Sequence, residues 1–235
     1  MNISAGMSVG LLLFATVTSV GSCQNARQGG EVKTSPVQEK AKSRITLPPP
    51  DRTGRITLEQ ALAGRRSLRE FAALALSEQE LSQLLWAAQG ITHPDGLRTA
   101  PSAGGLYPLE LYVVTTSGFY HYNPREHRLD LRSEGDLRPA LYRASLEQDC
   151  VRVAPAVFVI TAVYERTERK YGHERGPRYV HLEAGHAAQN MLLQAVTLGL
   201  GGVPVGAFHD DQVQKALSLP REHQPLYLIP IGHPR

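Results

Sequence analysis

Cysteines, long apolar runs and excess charge of either sign are scarce in this 235-residue chain, and each shortage closes off a class of explanation. The two cysteines, Cys23 and Cys150, are too few for a disulfide scaffold or a cysteine zinc site. Lys and Arg (25) barely outnumber Asp and Glu (22) and are interspersed with them, so the chain has no basic stripe and nucleic acid is set aside as a partner. The apolar stretch nearest the start, Val9 to Val20 (VGLLLFATVTSV), falls short of the roughly 20 residues that a membrane-spanning helix needs. A zinc helix is excluded too. His181, Glu183 and His186 run H-x-E-x-x-H, which puts the histidines about 140° apart round a helix, where they cannot grip one ion from a single face. No metal is expected. What the chain does have is 42% hydrophobic residues, enough to build the core of one ordinary domain.

The apolar stretch followed by Gly21, Ser22 and Cys23 reads as a secretory signal peptide over residues 1–22. Val20-Gly21-Ser22-Cys23 also resembles a bacterial lipobox, which makes Cys23 the lipidated first residue of an exported protein anchored on the cell-envelope side. From 23 to 54 the chain is Gln, Lys, Ser, Thr and Pro, ending in Pro48-Pro49-Pro50. Such a stretch has too little to bury to offset the entropy of ordering it, and is expected to be a flexible tether. The folded domain is therefore expected over residues 55–235.

Within that domain, Thr57 to Gly64 reads as a short capped helix that delivers Arg65, Arg66, Ser67 and Arg69. Forked guanidinium donors beside a hydroxyl suit a phosphate, although such a helix end is more often plain solvated surface. Ser77 to Gln89 is the clearest helix: Ser77 caps it, Glu80 stands three residues on, and Leu81, Leu84, Leu85 and Ala88 share one face. Pro101 to Pro108 spells PSAGGLYP, a turn whose adjacent glycines let the backbone approach a flat ligand, and it runs into a strand at Leu109 to Thr115. Further strands are expected at Phe119 to Tyr122, His127 to Leu131, Ala156 to Val163 and Leu226 to Ile231, with short helices at Asp136 to Ala144 and Asp210 to Leu217. Glu165 to Arg178 is a charge run containing Lys170-Tyr171. A long helix follows from Tyr179 to Leu198, with Glu183, His186, Asn190 and Gln194 in a polar line that faces either a partner or solvent. Gly199 to Phe208 (GLGGVPVGAF) then breaks that helix.

Taken in order, RRSLREF, PSAGGLYP, the Arg169 to Asn190 stretch and GLGGVPVGAF resemble the nitroreductase superfamily of flavoproteins. Within it they are most similar to the SagB/ThcOx-type branch, the azoline dehydrogenases of thiazole- and oxazole-forming peptide pathways. The likeness runs from about Thr57 to Pro234. It implies an α+β fold with a central mixed or antiparallel sheet surrounded by helices, and an interlocked homodimer with FMN at its interface. It implies that Arg65, Arg66, Ser67 and Arg69 of one subunit hold the phosphate, while Pro101, Ser102, Ala103 and Gly105 of the other reach the flavin. The backbone of Val205 and Gly206 would lie against the ring near N5. Lys170 and Tyr171 would be the catalytic pair, with a substrate proton passing to Lys170, Tyr171 assisting, and hydride passing to flavin N5. Arg166, Arg169, Arg175 and Arg178 around Lys170 would favour its neutral, basic form by charge repulsion. The substrate would be a small molecule or a peptide. Alternatives are an NAD(P)H-dependent nitro or quinone reductase and a flavin-free surface binding scaffold.

Overall fold

Two capping boxes start the first helices. In α1 (Leu58–Gly64) the Thr57 hydroxyl accepts from the Gln60 N–H at 3.2 Å, and Gln60 Oε1 accepts from the Thr57 N–H at 2.8 Å. In α2 (Glu78–Gln89) Ser77 and Glu80 repeat the exchange, satisfying donors that a helix start otherwise leaves open. Leu81, Leu84, Leu85 and Ala88 then enter the core together, as their spacing predicts. These elements belong to a computed structural model that describes residues 43–235. The expected signal segment, Cys23 and residues 24–42 of the expected tether lie outside the described residues.

Seven strands form one sheet: Arg44–Thr46 (β1), Leu109–Thr115 (β2), Gly118–Asn123 (β3), Arg128–Glu134 (β4), Ala156–Ala162 (β5), Gly201–Gly202 (β6) and Gln224–Gly232 (β7). Their order is β1-β4-β3-β2-β5-β7-β6, and every ladder is antiparallel. Of the two sheet types expected, the antiparallel one is therefore realised in an α+β fold. Central β5 is buried at all seven positions because both its faces are covered. Phe158 and Ile160 join the core that also takes in Leu84, Leu85 and Met191, while Val157 and Val159 join the opposite one with Leu141, Val151 and Val213.

Two expectations fail in the fold. The tether does not extend to Gly54, because β1 pairs with β4, Leu47 is buried, and the Asp51 N–H bonds Gln83 Oε1 at 2.8 Å. One short alternation, Arg-Ile-Thr-Leu, suffices here because β4 offers an open edge to pair with. The long helix expected from Tyr179 also begins earlier. Besides α3 (Arg138–Ala144), α4 (Asp149–Val153) and α6 (Asp210–Leu217), the chain forms α5 over Glu165–Thr197, which takes in the whole charged segment. This helix bends at Gly172, whose φ of 77° and ψ of 164° are non-helical. Its two arms, 165–171 and 173–197, close on each other. A Cβ on Gly176 would lie 3.1 Å from Glu168 Cα, and the Tyr164 hydroxyl bonds His181 Nε2 at 2.6 Å.

Candidate active site

PSAGGLYP lies along α5 as a tight turn, with Ala103–Gly105 in one 3-10 turn. Gly104 and Gly105 take φ of 63° and 65°, and Tyr107 is held at 46°. Gly104 is the point of closest approach to α5. A Cβ there would sit 2.8 Å from Lys170 Nζ and 2.9 Å from the Tyr171 hydroxyl, so a glycine lets this backbone rest on the pair without displacing either group. Gly172 breaks the helix directly after Tyr171 and sets the pair at a corner. The Tyr171 ring is fixed edge-on against Tyr179 at 4.8 Å, and Lys170 Nζ lies 5.6 Å from the Tyr171 ring centroid. Lys170 is exposed, and two of the cations expected to crowd it turn elsewhere. Arg166 pairs with Glu110 at 2.5 Å, and Arg169 pairs with Glu165 at 2.8 Å.

A chain of polar contacts holds the loop from behind. The Tyr107 N–H donates to Ser102 Oγ at 2.9 Å, and the Tyr107 hydroxyl accepts the Arg98 N–H at 3.2 Å. The Arg98 guanidinium stacks 4.4 Å above the Tyr107 ring and donates to Gln89 Oε1 at 2.7 Å. Gln89 Nε2 donates in turn to Glu183 Oε1 at 3.4 Å, and Ser102 and Glu183 line the same cleft. These contacts over-determine the unfavourable φ of Tyr107. Glu183 is 2% exposed, and burial pushes its pKa up to about 7 although Ser102, Gln89 and Arg98 pull the other way. Pro101, Ser102, Ala103, Tyr179, Leu182, Glu183 and His186 line a cleft of about 270 Å³. The polar line on α5 is thus divided. Glu183 is buried, Asn190 donates to the Thr99 carbonyl at 3.3 Å, and His186 is exposed. Glu183 was visible in the sequence only as one member of that line, and Arg98, Gln89 and Tyr107 carried no signal of their own.

The basic segment lies at the far end of the same helix. Ser67 bridges to Gly202 and the Leu68 N–H bonds the Gly202 carbonyl at 3.1 Å, which sets Arg65, Arg66, Ser67 and Arg69 beside the GLGGVPVG loop. None of the three arginines pairs with a carboxylate among the described residues; Arg66 donates to the Ala63 and Arg65 carbonyls. Within that loop one expectation is corrected. Val205 is not free to meet a ring, since its N–H donates to Leu228 at 2.8 Å and its carbonyl accepts the Leu228 N–H at 3.0 Å. The antiparallel bridge to β7 uses up both groups, and only exposed Gly206 keeps an open backbone. The two clusters do not meet in one chain. Gly64 packs at Val196, and Ser102 lines a cleft with Glu183, positions separated by thirteen residues of α5, roughly 20 Å along its axis.

Fold and site together define an α+β protein with a glycine-built loop laid on a Lys–Tyr pair at one end of a long helix and a basic strip at the other. The chain belongs to the nitroreductase family, which it matches over residues 62–233, and is in class an oxidoreductase. It is 44% identical over 183 residues to a nitroreductase homologue, MJ1384, of Methanocaldococcus jannaschii, covering 75% of this chain and 91% of that one. It is 32% identical over 132 residues to the trifolitoxin-processing protein TfxB of Rhizobium leguminosarum, covering 52% of this chain and 35% of TfxB. Among solved structures, a nitroreductase homologue from Ralstonia eutropha superposes with a TM-score of 0.76 at 34% identity, over 83% of this chain and 90% of that one.

The residues present fit FMN end by end. Unpaired guanidinium groups beside the Ser67 hydroxyl suit a phosphate dianion. Open space beside Gly105, where a Cβ would meet nothing within 4 Å, and the free backbone of Gly206 suit a flat ring with polar edges.

Proposed function

We propose that the protein is an FMN-dependent dehydrogenase of the SagB/ThcOx type, which oxidises an azoline-like ring in a small molecule or peptide to the corresponding azole. The observation that carries this reading is the contact of Gly104 with both Lys170 and Tyr171, which sets a potential base and a hydroxyl donor against the loop that resembles a flavin-binding turn. Arg65, Arg66, Ser67 and Arg69 would hold the phosphate, and Pro101, Ser102, Ala103, Gly105 and Gly206 would border the ring. Bound there, FMN supplies a two-electron acceptor. Lys170 acts as the base for the proton on the substrate carbon, and Tyr171, steadied by Tyr179, orients the ring being oxidised. Two copies of the chain form the site, one giving the basic strip and the other the loop. The resemblance of TfxB, a processing protein of a peptide toxin, supports a peptide-derived substrate. Export and lipidation at Cys23 belong to the same proposal.

A second reading, NAD(P)H-dependent reduction of nitro or quinone compounds, is favoured by the nitroreductase names of the two fuller matches. Lys170→Ala separates the two. On the first reading, turnover of a thiazoline-containing peptide falls by about 100-fold, the usual worth of a general base, while reduction of nitro compounds is little changed. Equal peptide turnover by wild type and variant rejects the base. Heat release of FMN from the purified protein, read by absorbance and mass, checks the cofactor itself.

A further inference from the structure

We propose that Arg166 is a positioning residue for Lys170 and Tyr171. Its guanidinium ties the arm of α5 that carries the pair both to the Tyr107 carbonyl of the glycine-built loop and to Glu110 of β2, and so sets where the base stands relative to that loop. This inference rests on the assignment of Lys170 as the base above.

The arm has little to hold it by itself. Residues 165–171 make about two turns between the end of β5 and the corner at Gly172, too short a helix to keep its place alone. Its entry is fixed where the Val163 N–H bonds the carbonyl of Pro108, the last residue of the loop, at 2.8 Å. Beyond that point Arg166 makes the tie. Its Nη1 donates to the Tyr107 carbonyl at 3.1 Å, and its Nη2 donates to Glu110 Oε1 at 2.5 Å. Arg166 and Lys170 stand four residues apart, one above the other on the same helix face. A guanidinium held at two points therefore fixes the face from which Lys170 reaches Gly104.

The two acceptors are themselves held. Glu110 is engaged at both oxygens, since its Oε2 lies 2.7 Å from His121 Nε2, and His121 stacks on Tyr112 at 4.5 Å. In the sheet Glu110 stands opposite Thr161 of β5. Tyr107 commits its N–H to Ser102, its hydroxyl to the Arg98 N–H and its carbonyl to Arg166. One side chain thus refers the base both to the sheet and to the loop. A base works only within hydrogen-bond reach of the proton it takes, and the substrate ring has to lie against what the loop holds, so arm and loop must keep a fixed spacing. The ion pair itself adds little stability, because the Arg166 side chain is 40% exposed. Its use is geometric, and a lysine in its place would keep the charge but lose the fork.

The test uses the full-length protein at saturating FMN, with a thiazoline-containing peptide as substrate, in Arg166→Ala, Arg166→Lys, Lys170→Ala and the double variant Arg166→Ala with Lys170→Ala. Arg166→Ala is expected to lower kcat by about 10- to 100-fold, the cost of a misplacement of about 1 Å, with KM little moved. Arg166→Lys should restore only a small part of the loss. The double variant should be no slower than Lys170→Ala, because a residue that acts through the lysine has nothing left to place. A second readout needs neither substrate nor FMN. Lys170 and Lys215 are the only lysines in residues 43–235, with Lys33, Lys40 and Lys42 before them. Labelled methyl groups placed on the amines, which keep the charge, therefore give few NMR signals, and Lys170→Ala assigns the one beside the Tyr171 ring. Arg166→Ala should move that signal towards the value of exposed Lys215. Wild-type kcat or an unmoved Lys170 signal in Arg166→Ala, or a double variant slower than Lys170→Ala by the full factor of the Arg166 change, overturns the positioning role. Wild-type turnover in Lys170→Ala removes the base itself, and with it the reading on which this inference rests. Should Arg166→Ala fail to fold, Arg166→Lys decides: a kcat equal to wild type overturns the tie, and a loss that vanishes in the Lys170→Ala background supports it.

Discussion

Gly104→Ala set against Gly105→Ala separates backbone cost from contact cost at the loop. Both residues sit in the left-handed region, at φ of 63° and 65°, so an alanine at either position carries a similar penalty of about 1–2 kcal/mol. For a domain of this size that is roughly 2–8 °C in Tm, measurable by calorimetry. The neighbours differ. The new Cβ at 105 would meet nothing within 4 Å, whereas at 104 it would lie 2.8 Å from Lys170 Nζ and 2.9 Å from the Tyr171 hydroxyl. Those are the far ends of flexible side chains, so they can yield, and the extra loss of stability should be small. To regain ordinary contact each must retreat by about half an ångström or more, which displaces the two groups proposed to act on the substrate. A misplacement of that order costs about 10- to 100-fold in turnover. Both variants should therefore melt a few degrees early; Gly105→Ala, whose methyl enters the space given to the ring, should also weaken FMN binding, but at saturating FMN only Gly104→Ala should lose kcat on a thiazoline-containing peptide. Equal losses of turnover in the two variants would refute the placement of Lys170 and Tyr171 at this contact.

Two further outcomes can be checked. Burial alone would raise the Glu110 pKa, but hydrogen bonds from His121 at 2.7 Å and Arg166 at 2.5 Å outweigh it and hold the carboxyl at about 2 against an ordinary 4.5. A depressed folded-state pKa contributes stability that is present above 4.5 and lost as pH falls towards 2, so urea midpoints at pH 5 and pH 3 should differ less in Glu110→Gln than in wild type. Mass spectrometry of the protein purified from its own membranes should find a mature chain that begins at lipid-modified Cys23; a soluble chain with Met1 intact would overturn the export proposal.

Local chemistry made much of the fold legible. Ser77 with Glu80 and Thr57 with Gln60 are reciprocal caps within four residues, and an unbroken apolar stretch such as Ala156–Ala162 has few places to lie except the middle of a sheet. Where the chain misled, a distant partner decided. Arg44–Thr46 lacks strand periodicity of useful length and becomes a strand because β4 has a free edge. The segment from Glu165 to Arg178 read only as a charge run. Its helix forms because Thr167 is buried, Glu165 meets Arg169 one turn on, and Gly172 absorbs the corner between the two arms. At the site, the glycines and the Lys-Tyr pair were visible as motifs. The run of contacts from Ser102 through Tyr107, Arg98 and Gln89 to Glu183 was not, since its members come from three stretches that only the folded chain brings together. Val205 shows the opposite failure: the motif was read correctly as a loop, but the bridge to Leu228 claims its backbone.

The separation of the two clusters bears on how the site can work at all. A cofactor held by its phosphate at the Arg65–Arg69 strip lies some 20 Å along α5 from the loop of the same chain, beyond the reach of any side chain there. A second copy related by a two-fold axis, with its α5 running the opposite way, brings its own loop end beside the first chain's basic end, and symmetry creates two such sites at once. The surface of the single chain is suited to that arrangement. Leu58 and Leu62 on α1 and Leu182 on α5 are 61%, 52% and 54% exposed, and a cleft of about 330 Å³ between α1, α2 and α5 runs beside Leu58, Trp86 and Leu193. The Trp86 Nε1–H is buried there with no acceptor among the described residues, a cost that a partner's carbonyl would remove. In that assembly Lys170, exposed in the single chain, would stand at the rim of a cavity walled by both copies.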